Sequence, residues 1–120
     1  MQTPRKIGKP EPKKEDFRME YIYDYLFENN IQASSKCFPY LAEGILYAID
    51  HPSSTYDFII NRLALSHEEP AEQIKGNMRY TIKTNTGSSP KAFLFNAAAY
   101  LRLNIGKEEN KKGKLIAFSS

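Results

Sequence analysis

At 120 residues, 41% of them hydrophobic and 26% charged, the chain is long enough for one hydrophobic core and too short for two domains of ordinary size. Its single cysteine, Cys37, has no partner for an internal disulfide, and no apolar run reaches the length of a membrane span or a signal-peptide core. A cytoplasmic protein with no membrane association is therefore expected. The formal charge of +3 is uneven: residues 1–18 carry six Lys/Arg against three Asp/Glu, residues 19–105 seven against nine, and residues 106–120 four against two. The positive charge lies at the ends, and the middle is slightly acidic.

Residues 1–14, with Pro4, Pro10 and Pro12 among lysines, read as a flexible basic arm. Residues 15–105 read as the folded domain, and 106–120 as a flexible C-terminal tail whose apolar run Leu115 to Phe118 is available to dock. Between the arms the spacing predicts five helices and no strand. From Glu15 to Asn29, Phe17, Tyr21, Ile22, Tyr25 and Leu26 recur three and four apart as one apolar stripe. Lys36 to Asp50 places Phe38, Leu41, Ile45 and Ala48 on one side, and His51-Pro52 ends it.

A third, short helix follows a cap at Ser53 or Ser54 and carries Phe58, Ile59 and Leu63 inward. Ala64 to Ser66 reads as a turn, and Ser66-His67-Glu68-Glu69 has the form of a capping box that opens the fourth helix. Along that helix Ala71, Ile74, Met78 and Ile82 make the buried stripe, while Glu69, Glu72, Gln73, Gly76, Arg79, Tyr80 and Lys83 face the other way. Thr84 to Ser89 is a loop. Ser89-Pro90 then caps and opens the fifth helix, which runs to about Asn104 with Phe93, Leu94, Ala97, Ala98 and Leu101 inward.

The fold class expected from this order is all-α: a compact bundle of about five helices containing a helix-turn-helix, formed by the third and fourth. The stretch Ile31-Gln-Ala-Ser-Ser-Lys-Cys-Phe-Pro-Tyr-Leu-Ala-Glu-Gly-Ile45 resembles the C-terminal effector domain of the sporulation master response regulator (stage-zero sporulation protein A) family. Ala33, Lys36, Phe38, Tyr40-Leu41, Glu43 and Ile45 match that family's pattern at unbroken spacing. Tyr56 to Leu63 is similar to the first helix of its helix-turn-helix, and Phe93 to Leu103 to its last helix. The resemblance implies a stand-alone helical domain, without a receiver, that binds double-stranded promoter DNA, regulates transcription in sporulation or stationary phase, and forms a homodimer through its last helix.

The fourth helix departs from the family. Its run of the type Ser-Arg-x-Glu-Arg-x-x-Arg-His aligns with Glu68 and Glu69 at Ser-Arg, Ala71 at Glu, Glu72 at the second Arg, Lys75 at the third and Gly76 at His. Arginine offers paired donors to guanine and neutralises phosphate, whereas glutamate only accepts and is repelled by phosphate. Two functions from different classes follow. In one, the fourth helix binds DNA through Gln73 and Lys75 at base edges, Arg79, Lys83 and the basic arms at phosphates, and Tyr80 beside them. In the other, Glu68, Glu69 and Glu72 face a basic protein partner, a related regulator being one such.

No enzyme, cofactor or metal site is expected. His51 and His67 have no second metal-type ligand at helical spacing, Cys37 reads as a core residue, and no Gly-rich phosphate loop occurs. Tyr21, Tyr25 and Tyr40 fall on inward faces and read as packing rather than as a stacking surface.

Overall fold

A computed structural model describes residues 16–119, with side chains through residue 107. Five α-helices follow one another: α1 (Arg18–Glu28), α2 (Cys37–Asp50), α3 (Tyr56–His67), α4 (Ala71–Thr86) and α5 (Pro90–Ser119). Among the described residues there is no strand, so the all-α expectation holds. The basic arm at residues 1–14 and the side chains of Leu115 to Phe118 lie outside the described residues.

The apolar pattern explains the layout. α2 buries Cys37, Phe38, Tyr40, Leu41, Ala42, Gly44, Ile45 and Ala48, too many for a single stripe, and a helix apolar on most sides belongs at the centre. It packs against each of the other four. The outer helices bury narrower sets: Ile22 and Leu26 on α1, Ile59, Ile60 and Leu63 on α3, Ile74, Met78 and Ile82 on α4. On α5 the buried residues are Phe93, Leu94, Ala97, Ala98, Leu101 and Ile105. Gly44 lets α5 approach α2, since a Cβ there would stand 2.9 Å from Leu94 Cδ1.

The ends of the helices are closed by specific groups. Asn30 takes a left-handed conformation (φ 69°) after α1, and the Ile31 N–H reaches back to Leu26 O at 2.9 Å. Arg102 on α5 donates to the Ala48 and Ile49 carbonyls at 3.1 and 3.5 Å, satisfying the open end of α2. Ser89 Oγ accepts the Ala92 N–H at 3.1 Å, and Pro90 is the first residue of α5, as its sequence predicts. Arg18 bridges the start of α1 to the end of α2, donating to Asp16 and to Asp50 Oδ1 at 2.5 Å. That guanidinium holds the Asp16 carboxyl below its ordinary range.

Several boundaries differ from the sequence expectation. The cap of α3 is Thr55, whose hydroxyl accepts the Phe58 N–H at 3.1 Å, rather than Ser53 or Ser54. α3 continues through the expected turn at 64–66 to His67, because its last turn has partners on α2: Ser66 Oγ donates to Glu43 at 3.2 Å, and the His67 ring stands edge-on to Tyr40 at 4.9 Å. The capping box at Ser66 is therefore not formed. The chain turns instead at Glu68 (φ 54°), and α4 opens after Pro70. Phe58 is 49% exposed rather than inward, Ala71 is only half-buried, and α4 runs to Thr86, ending at a left-handed Gly87. The backbone of α5 stays helical past Asn104 to Ser119.

Candidate nucleic-acid interface

α3 and α4 are joined by the three residues Glu68 to Pro70 and packed on each other. Because Ile74, Met78 and Ile82 turn inward at a spacing of four, the remaining positions of α4 divide into two solvent stripes. One is charged, with Glu72, Lys75, Arg79 and Lys83. The other is neutral, with Gln73, Asn77, Tyr80 and Thr84.

Within the charged stripe the residues are not equivalent. Lys75 is half-buried against α3, its Nζ 3.3 Å from Asp57 Oδ1 and 4.0 Å from Glu72 Oε2. The partner Asp57 sits in the first turn of α3, where a carboxylate also suits the helix dipole. Arg79 and Lys83, four apart, are exposed. Among the described residues neither has an ion-pair partner. Arg79 lies close enough to Tyr56 to offset in part the burial that pushes this phenol up to about 12.

The three expected acids are not one patch. Glu69 is half-buried and accepts a hydrogen bond from the Tyr40 hydroxyl. Burial, and after it this carboxylate, pushes the Tyr40 phenol up to about 12. Glu68 occupies the corner between α3 and α4, and only Glu72 projects from α4 itself. Asp57 was missed by sequence reasoning because its pairing with Lys75 crosses between helices and leaves no local signal.

In the neutral stripe, Gln73 is exposed and Tyr80 is 74% exposed. Towards the C-terminal half of α4, Tyr80, Thr81, Thr84 and Asn85 face Asn30, Gln32, Ser34 and Ser35 across a cleft of about 180 Å³. Its two walls lie some fifty positions apart in the chain, and no motif in the sequence announces them. Cys37 is buried beneath this region, its thiol donating to Thr81 Oγ1 at 3.2 Å. Burial raises the thiol above its ordinary value.

Among the described residues no three His, Cys, Asp or Glu side chains converge as a metal site would require, and no helix is long and apolar enough to cross a membrane. Comparison with protein-family models, with curated proteins and with solved structures gives no match.

Proposed function

We propose that the chain is a DNA-binding transcription regulator in which α3 and α4 act as a helix-turn-helix and α4 meets the duplex. The observation that carries this reading is the exposed surface of α4. Arg79 and Lys83 stand outward without carboxylate partners among the described residues, and the neutral stripe of the same helix presents the exposed hydrogen-bonding side chains of Gln73 and Tyr80. The acids that oppose such a role are reduced in weight, since Glu69 is drawn to Tyr40 and Glu72 lies near the Lys75 ammonium. Lys75, held by Asp57, is less available to a base edge than the spacing alone suggests.

A role in sporulation or stationary-phase control rests on the resemblance carried by Ile31 to Ile45. The same resemblance extends to pairing through the last helix, where Tyr100 and Leu103 are 56% and 61% exposed.

Titration of labelled duplexes, random and promoter-derived, tests the proposal. Affinity is expected to fall steeply between about 50 and 200 mM salt as phosphate contacts release counterions. Absence of binding at the lower salt overturns it. Glu72→Gln is expected to tighten binding and Glu69→Gln to leave it nearly unchanged, because only the first projects from α4.

A further inference from the structure

Gly76 is the residue of α4 that the fold itself does not require. It stands in the interior of a sixteen-residue helix, where glycine costs about 1 kcal/mol relative to alanine. A Cβ built there meets nothing within 4 Å, unlike one at Gly44. A glycine with open space before it leaves the helix backbone bare to whatever docks on that side. It lies between the two stripes, with Arg79 and Lys83 on one flank and Tyr80 and Thr84 on the other.

The second flank is built to form hydrogen bonds without charge. None of the eight residues around the cleft is an Asp, Glu, Lys, Arg or His, and the seven besides Tyr80 each carry a hydroxyl or amide. Part of their capacity is used internally: Asn85 Nδ2 donates to Thr81 O at 3.0 Å, and Ser35 Oγ accepts the Cys37 N–H at 3.2 Å. The second Asn85 amide proton and the Ser35 hydroxyl proton are left to donate to a ligand, together with the exposed side chains of Gln32, Ser34 and Thr84.

A helix about 10 to 12 Å across fills a major groove about 12 Å wide, so each of its flanks meets one of the two bounding strands. Hydroxyl and amide side chains supply many of the contacts that proteins make to phosphate and sugar. We infer that the cleft between residues 30–35 and the C-terminal half of α4 is the second flank of the DNA interface, taking the sugar-phosphate backbone of the strand opposite the one met by Arg79 and Lys83, with α4 seated along Gly76. This rests on the reading of α4 as the duplex-facing helix.

The two flanks differ in how their loss depends on salt. Removing neutral contacts weakens binding without changing counterion release, whereas each lost cation lowers the slope of log K against log salt by about one. The variant combining Ser34→Ala with Thr84→Val is expected to lose about three- to tenfold in duplex affinity at every salt concentration with its slope unchanged. Arg79→Gln with Lys83→Gln is expected to lose affinity and about two units of slope. Gly76→Ala is expected to raise the melting temperature, yet to weaken binding by about fivefold or more through crowding at the contact. Melting curves of each variant verify that it is folded.

If Ser34→Ala with Thr84→Val and Gly76→Ala all bind as the unaltered chain does, while the Arg79 and Lys83 variant loses affinity and slope, the second flank is wrong and the DNA reading stands. If the unaltered chain binds no duplex, or loses nothing when Arg79 and Lys83 are neutralised, the DNA reading fails and the second flank falls with it.

Discussion

Glu68 is held in a backbone conformation that its side chain does not favour. At φ 54° and ψ 47° it closes α3 in the left-handed region, with the Glu69 N–H returned to Ala64 O at 3.1 Å. Glycine adopts that conformation without a Cβ penalty, and a carboxylate at the C-terminal end of a helix also opposes its dipole. Glu68→Gly is therefore expected to stabilise the fold by about 1 kcal/mol, read as a higher denaturation midpoint at unchanged slope. A lower midpoint would contradict the cap. A second expectation concerns Arg18. The Asp16 carboxyl is depressed by this guanidinium, so its contribution is present above the ordinary carboxylate pKa of about 4 and lost as pH falls through the lower folded value. The stability difference between the unaltered chain and Arg18→Gln, below about 1 kcal/mol for so exposed a cluster, should be largest at neutral pH and shrink in acid. A difference that grows with acidity would assign the effect elsewhere.

At the scale of helices, what was legible in the sequence was the inward stripe of each element, because spacing alone puts Ile74, Met78 and Ile82, or Phe93, Leu94, Ala97, Ala98 and Leu101, on one side. The junctions were less legible. Ser66 to Glu69 has the local form of a helix start, but Glu43 and Tyr40 on α2 provide partners for Ser66 and His67, and those long-range contacts carry α3 past it. For the candidate site, Gln73, Arg79, Tyr80 and Lys83 were placed outward from spacing alone. The engagement of Lys75 with Asp57 and of Glu69 with Tyr40 was hidden, since each joins residues on different elements. The packing of α2 on α5 gives its own test at Gly44. A Cβ there presses on the mobile end of Leu94, but the branches of valine would also meet Ile59 and Leu63, whose nearest atoms already lie 3.6 and 3.7 Å from the Cβ position. Gly44→Val is expected to destabilise the fold by about 1 to 3 kcal/mol, and a variant as stable as the unaltered chain would show that α5 has room to withdraw.

For the molecule as a whole, the candidate interface and the core meet at Cys37. Its thiol is buried on α2, the helix against which all the others pack, and it donates to Thr81 on the helix that carries Arg79, Tyr80 and Lys83. A thiol is alkylated as thiolate, and burial raises the pKa of this one while removing it from reagent, so reaction requires α4 to separate from α2. Alkylation in native buffer is expected to be slow and to accelerate with denaturant in step with unfolding, as it does for groups released only by opening of the core. Because a ligand that binds the native chain lowers the open population, saturating duplex DNA is expected to slow alkylation further, about a hundredfold at a free concentration of 100 Kd. Rapid labelling in native buffer would show that α4 opens locally without the rest of the fold. Slow labelling that duplex leaves unchanged, at concentrations where binding is seen directly, would place the binding surface away from the folded region and on the basic ends of the chain.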